Sequence, residues 1–170
     1  KQTHRQLQQY EKILAENGMN IAEHCVRTWF FVRDIDRNYG GVVVGRRENF
    51  LLNGLTPDTH YIASTGIEGK HEDHNVLSLF DAYAVKGIPS DKRQILYAAQ
   101  NMNKTIEYGV TFERGVCIHH SAGYKQVYIS GTASIDTKGK IDRDVFFRIS
   151  GCLSNASFNF FASTSFNISI

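Results

Sequence analysis

Long apolar runs are missing from this 170-residue sequence, and so is a strong charge of either sign. No stretch reaches the ~18 apolar residues that a membrane-spanning helix needs, so we expect no membrane partner. The segment KQTHRQLQQYEKIL (residues 1–14) has no apolar core of the signal-peptide kind. These absences predict a soluble, cytoplasmic protein.

The charge and the cysteines exclude further classes. A net charge of +2 does not predict nucleic-acid binding, which usually requires a concentrated basic face. Cys25, Cys117 and Cys152 are odd in number, far apart and without metal-ligand spacing, which favours free thiols in a reducing compartment. We therefore expect no nucleic-acid partner, no metal and no cofactor. With 42% hydrophobic residues, the chain is long enough for one domain with a real core.

Hydrophobic periodicity predicts an α+β fold with two helices and several strands. Leu7, Tyr10, Ile13 and Leu14 follow helical spacing. Asn17 begins the Asn-Gly pair that is typical of a helix end. The predicted elements are helices over residues 2–17 and 39–52, and strands over 26–32, 60–69 and 76–87. Such an order predicts a two-layer domain with helices packed on one face of a mixed sheet.

The second part of the chain is less regular. Residues 88–104 are predicted as a connection, with a helical turn possible at 92–100. Residues 105–120 and 125–135 are predicted to form a β-hairpin. The stretch from 143 to 170 is rich in Ser, Asn and Phe, and has neither strand alternation nor helical periodicity.

Three residues of the predicted hairpin are candidates for a binding or catalytic site. Tyr108, Phe112 and Arg114 are separated by even steps, so in a regular strand their side chains would share a face. Arginine suits bidentate carboxylate recognition, and a tyrosine can orient a ligand or donate a proton. The alternative is a surface ladder in which Arg114 pairs with Glu107 or Glu113.

Two predicted strands end in hydroxyl groups beside glycine. Ser64 and Thr65 end one strand, and Ser130-Gly131-Thr132 ends another. Hydroxyls and exposed backbone N–H groups can cradle an oxyanion or a carboxylate. Ordinary turn chemistry is the alternative interpretation.

Histidines and paired arginines are weaker candidates. The HEDH segment (residues 71–74), with His60 nearby, invites a metal interpretation, but it lies in a polar loop without helical pairing, so a solvated loop is favoured. The adjacent His119 and His120 would point to opposite faces of a strand. Arg46 and Arg47 are predicted to lie on a solvated helix face.

Several of these segments together resemble the Rid family, also called YjgF-like or endoribonuclease L-PSP proteins. YISGTASIDTKGKI is similar to the family's first hairpin, and the first 36 residues resemble its Gln-Thr helix and the strand that follows. The segments VRTW, RDID, ASTGI and YGVTFER resemble the chorismatase-like branch. The resemblance covers residues 2 to about 142.

The order of these segments differs from the family's order. Residues 1–87 resemble the C-terminal half of one YjgF-like domain, and residues 105–142 resemble the N-terminal half of the next. The resemblance therefore implies a fragment that spans two half-domains. It would form one YjgF-like unit over residues 1–142 in permuted order, followed by an atypical stretch over 143–170.

What the resemblance implies is a YjgF-like (chorismate-mutase-like) fold, a homotrimer and a small carboxylate ligand. In an enzyme, Arg114 would clamp the carboxylate and Tyr108 would position the reacting group. The substrate-binding residues would be Phe112, Ser64, Thr65, Ser130, Gly131 and Thr132.

The resemblance also leaves alternatives open. Chorismatase-like hydrolysis needs a general acid, for which Glu68 and Glu107 are the only candidates near in sequence. Ala63 stands where deaminases of the family carry an arginine, which weakens an imine-deaminase assignment. A non-enzymatic ligand-binding or scaffold module is the second hypothesis. A ribonuclease is the third, and the weak net charge does not support it.

Overall fold

The structure is a computed structural model that describes residues 1–97 and 105–131. The described part is an α+β fold of three helices, six strands and two short 3-10 turns. The helices are α1 (Gln2–Glu16), α2 (Ile21–His24) and α3 (Ile35–Leu52). The strands are β1 (Cys25–Val32), β2 (Ala63–Glu68), β3 (Ser78–Ala84), β4 (Arg93–Leu96), β5 (Gly115–His119) and β6 (Lys125–Ile129).

Helix α1 confirms the prediction made from its apolar spacing. Leu7 and Leu14 are buried, and Tyr10 packs against the same core, whereas Ile13 is exposed. The helix ends at Glu16, and the backbone N–H of the capping residue Asn17 donates to the Leu14 carbonyl. Three apolar positions on one face were therefore enough to place the helix.

The first sheet is mixed and carries the helices on one face. Its strand order is β2-β1-β3, with β1 parallel to β2 and antiparallel to β3. Phe30 and Val32 of β1 are fully buried against the helices, in a core that also contains Val42 and Phe50 of α3. The predicted layering of helices on one face of a mixed sheet is confirmed for this sheet.

The opposite face of the first sheet carries the alternate residues of its strands. Arg27, Trp29 and Phe31 alternate with the buried residues of β1, so they point away from the helices. Thr65 pairs with Trp29 in the parallel register, and partners in register share a face. We call this side the outer face.

Helix α3 begins four residues earlier than predicted, at Ile35. The Glu68 carboxylate at the end of β2 accepts hydrogen bonds from the backbone N–H groups of Asp34 (3.0 Å) and Ile35 (2.8 Å). These two groups belong to the first turn, where helical N–H groups have no partner within the helix. A partner more than thirty residues away in sequence thus extends the helix.

The second sheet is antiparallel, with the order β4-β5-β6. The β5–β6 hairpin confirms part of the predicted hairpin, but residues 105–114 are not strand. Thr105–Tyr108 is a 3-10 helix, and Gly109 follows with a φ of +78°, a conformation that interrupts an extended chain. The even spacing of Tyr108, Phe112 and Arg114 therefore does not place them on one face of a strand, and that prediction is wrong.

The possible helical turn at residues 92–100 is also wrong where the structure describes it. Arg93–Leu96 is a strand, preceded by the 3-10 turn Ser90–Lys92. Ile95 pairs with Val116 and packs against the small core of the second sheet. Pairing with a distant strand overrides the local preference here.

Candidate functional site

The two hydroxyl-bearing segments lie side by side, although Ser64 and Thr65 stand at the start of β2 and not, as predicted, at the end of a strand. The backbone N–H of Ser64 donates to Ser130 Oγ (2.8 Å), and the N–H of Gly131 donates to Thr65 Oγ1 (2.8 Å). We call these four residues the seam, because they join the two sheets. The structure thus brings together four of the predicted substrate-binding residues, while Thr132 lies outside the described residues.

Glu113 connects the two segments of the seam through backbone and side-chain contacts. It forms a parallel bridge with Ala63, and its N–H donates to the Ile62 carbonyl (3.1 Å). Its buried carboxylate accepts a hydrogen bond from the Tyr61 N–H (3.0 Å), and its carbonyl accepts one from Ser130 Oγ. Glu113 is therefore a buried structural link, and because Arg114 is buried too, the predicted surface position of an Arg114 ladder is wrong.

Arg46 reaches the seam from helix α3 and is only 1% exposed. Its Nε donates to Thr111 Oγ1 (3.2 Å), and its Nη1 donates to Ser64 Oγ (3.1 Å). The guanidinium carbon lies 5.8 Å from the Phe30 ring centroid and 5.5 Å from that of Phe112. The prediction of a solvated face is wrong for Arg46.

The neighbouring Arg47 does point to solvent, where its Nη2 donates to the Gly109 carbonyl. The difference follows from helical spacing, because Val42, Arg46 and Phe50 are each four residues apart and share the buried face. That spacing was the signal in the sequence that could have identified Arg46.

Arg27 is a second buried arginine that sequence reasoning missed. It lies on the outer face with 6% exposure, its Nη2 donates to Thr65 Oγ1, and its guanidinium carbon lies 4.9 Å from the Trp29 ring centroid. Burial lowers its pKa to about 10. A single arginine within the otherwise apolar CVRTWFFV strand was the available signal.

The predicted catalytic pair is only partly described. Arg114 and Phe112 are buried next to the seam, and the Arg114 guanidinium carbon lies 5.9 Å from the Phe112 ring centroid. Ser130 N–H donates to the Arg114 carbonyl (2.8 Å). The backbone of Tyr108 belongs to the 3-10 helix, and its side chain lies outside what the structure describes.

The two candidate acids do not reach the seam residues. The Glu68 carboxylate is engaged at the start of α3, and Glu107 is an exposed residue of the 3-10 helix. Glu113 is the carboxyl group buried beside the seam, and its proximity depends on a contact between distant segments.

The histidine loop behaves as a solvated loop held by an arginine. Residues 71–74 are exposed, and Arg33 hydrogen-bonds both the His71 carbonyl and the His74 ring (3.2 Å). Within residues 1–97 and 105–131, no three His, Cys, Asp or Glu side chains are grouped so that they could hold a metal ion. Cys25 and Cys117 are free and buried, and burial raises the pKa of the Cys25 thiol to about 12.

A substitution at Gly131 tests how closely the seam residues are packed. A Cβ at this position would lie 2.5 Å from Thr65 Cγ2, so we expect Gly131→Ala to lower the free energy of unfolding by about 1–2 kcal/mol. Urea unfolding followed by circular dichroism measures the change. In a Thr65→Ser background, which removes Cγ2, the same substitution should have a smaller effect. An equal loss in both backgrounds would show that the clash is not with Thr65.

Over the described residues, no helix has both the length and the apolar character needed to cross a membrane.

Two comparisons with known proteins found no relative of this chain, since neither the protein-family models nor the curated proteins include a match to it.

Proposed function

We propose that this chain is a Rid/YjgF-like domain of the chorismatase-like branch, and that it binds a small carboxylate metabolite at the seam. The observation that carries the proposal is that three buried arginines lie next to the seam, with Arg46 on the helix-facing side of the first sheet and Arg27 on its outer face. Arg27 contacts Thr65, Arg46 contacts Ser64, and Arg114 lies one residue from the Glu113 bridge.

Electrostatics support an anionic ligand. Taking a guanidinium out of water is costly unless an anion or a full set of acceptors replaces the water. The planar fork of arginine matches the two oxygens of a carboxylate, whereas the Thr65 hydroxyl supplies Arg27 with a single hydrogen bond. A small carboxylate is therefore a better fit than a neutral metabolite.

The pairing of β1 with β2 places Arg27 beside Ala63, the position at which the resemblance would lead us to expect an arginine. Ala63 occupies the position at which deaminases of the family carry an arginine, and Arg27 is its partner in the neighbouring parallel strand. Because partners in register share a face, Arg27 supplies a guanidinium on the side of the sheet to which Ala63 points. This placement favours carboxylate binding in spite of Ala63.

In the enzyme version, Arg114 clamps the carboxylate, Phe112 contacts the ligand and Tyr108 positions the reacting group of a chorismate-like enol ether. In the alternative, the chain is a ligand-binding or scaffold module, which the engagement of Glu68 and Glu113 in structural contacts favours. The proposal includes association of identical chains into a trimer, for which Ile67 and Tyr83 offer exposed apolar surface.

Ligand-induced stabilisation and turnover test the proposal together. We expect chorismate and pyruvate, but not pyruvate methyl ester, to raise the unfolding temperature in a saturable way. A ligand at a hundred times its Kd adds about 2.7 kcal/mol of stability. Pyruvate release from chorismate is measured on the same samples.

A conservative variant links the result to the site. Arg114→Lys keeps the charge but removes the planar fork, and Arg5→Lys makes the same change on an exposed residue of α1. Stabilisation with pyruvate release, reduced in Arg114→Lys only, supports the enzyme version. Stabilisation without release supports the binding module, and no stabilisation by either carboxylate contradicts the proposal.

A further inference from the structure

We propose that Arg27 and Thr65, rather than Arg114, are the residues that contact the carboxylate, and that the ligand lies on the outer face of the first sheet beside Trp29. The inference rests on the proposed function and names the donors that serve it.

Both side chains lie on the outer face. The second sheet covers this face beside Arg27, where Ala63 packs against Val116 and Ile118, and it leaves the face partly open at Thr65 and Trp29. Arg27 and Trp29 are two residues apart in β1, and Thr65 is the register partner of Trp29 in β2. Thr65 and Trp29 are only partly buried, so a ligand can approach the pair from this side. The helix-facing side of the same strands is filled by the main core.

The Thr65 hydroxyl can donate one further hydrogen bond. Its oxygen accepts hydrogen bonds from Arg27 Nη2 and from the Gly131 N–H (2.8 Å), which occupies both of its lone pairs. The hydroxyl proton must therefore be donated elsewhere, and no acceptor for it occurs among the residues that the structure describes. The two bonds that the oxygen accepts direct this proton away from Arg27 Nη2 and the Gly131 N–H.

Arg27 also has an unused hydrogen-bond donor. Its Nη1 is buried and has no hydrogen-bond partner, and the guanidinium forms no ion pair with any described residue. Asp81 lies across from Trp29 in β3, and its described hydrogen bond is with the Ala82 N–H (3.1 Å) and not with Arg27. The Trp29 ring covers the guanidinium at 4.9 Å and offsets only part of the desolvation of the charge.

Arg27 Nη1 and the Thr65 hydroxyl are two unused donors on side chains that hydrogen-bond each other, and two such donors suit an anion with two oxygens. Arg27 Nη2 and Thr65 Oγ1 hold each other in place, so Nη1 and the hydroxyl proton are positioned before a ligand arrives. A carboxylate can accept from both at once. Charge-assisted hydrogen bonds of this kind are among the strongest that a protein forms.

Isothermal titration of the full chain with chorismate and with pyruvate tests the assignment. We expect Arg27→Lys and Thr65→Val each to weaken binding about ten- to a hundredfold, because each removes one charge-assisted hydrogen bond. Thr65→Ser keeps the hydroxyl and should weaken binding less than Thr65→Val, whereas the exposed control Arg5→Lys should stay close to the wild type. Circular dichroism checks that each variant is folded, and the Thr65→Val and Thr65→Ser pair carries the test if Arg27→Lys does not fold.

The outcomes separate this inference from the proposed function. Wild-type binding that is unchanged in Arg27→Lys and Thr65→Val overturns the inference and leaves the seam proposal standing. Loss of binding in Thr65→Ser as severe as in Thr65→Val also overturns it, since the hydroxyl would then not be the contact. Absence of wild-type binding overturns both proposals. A titration with inorganic phosphate gives the last comparison, and Arg27-dependent binding of phosphate without carboxylate binding overturns the carboxylate assignment.

Discussion

Replacing Arg46 with alanine is expected to lower the free energy of unfolding by about 3–5 kcal/mol, whereas Arg47→Ala is expected to change it by about 0.5 kcal/mol or less. Arg46 is fully buried between Phe30 and Phe112 and donates to Thr111 and Ser64. Alanine would leave a cavity and would deprive two buried hydroxyls of a donor. Arg47 is exposed, so its truncation removes little packing.

Urea unfolding at neutral pH, followed by circular dichroism, measures both variants under the same conditions. Arg46→Met separates the two contributions, because methionine retains much of the packing but donates no hydrogen bond. We expect it to lose about 1–2 kcal/mol, less than Arg46→Ala. Equal losses for Arg46→Ala and Arg47→Ala would contradict the buried position of Arg46.

Gly115→Ala is expected to lower the free energy of unfolding by about 3 kcal/mol. A Cβ on Gly115 would lie 2.7 Å from the carbonyl oxygen of Tyr128 in the paired strand β6. A backbone atom of a hydrogen-bonded hairpin cannot turn aside as a side chain can, so the strands must separate. Overpacking of this kind costs about 1–3 kcal/mol, and a backbone contact places the effect at the upper end.

Gly40→Ala is the matched control, with the opposite expected sign. Gly40 lies within α3, and nothing lies within 4 Å of a Cβ at this position. Alanine favours the helix over glycine by about 0.5–1 kcal/mol, so the variant should gain stability. The same urea series measures both variants, and a Gly115→Ala protein as stable as the wild type would refute the close approach of β5 and β6.

Local pattern was sufficient for α1 and β1. Residues 26–32 were predicted as a strand, and β1 is Cys25–Val32, because the β-branched and aromatic residues there have no competing helical period. Helix α1 was placed within a residue at its C-terminal end. Each of these elements is specified by neighbours within a few residues of one another.

Local pattern failed where a distant partner decides the conformation. Arg93–Leu96 becomes a strand because β5 pairs with it. The segment before β5 leaves the extended form because Gly109 adopts a positive φ and Glu113 pairs with Ala63 instead. Neither partner can be identified from the sequence around the element itself.

The sequence by itself determined the serine, threonine and glycine residues of the candidate site, since the two short segments that carry them were visible as a pattern. Only the tertiary structure decided that these segments meet, because the hydrogen bond between Ser64 and Ser130 joins residues 66 positions apart. The tertiary structure also decided that Arg27 and Arg46 are buried beside them. Burial and long-range pairing are properties of the packed sheets, and the energy of a guanidinium depends on that surrounding far more than on its neighbours in sequence.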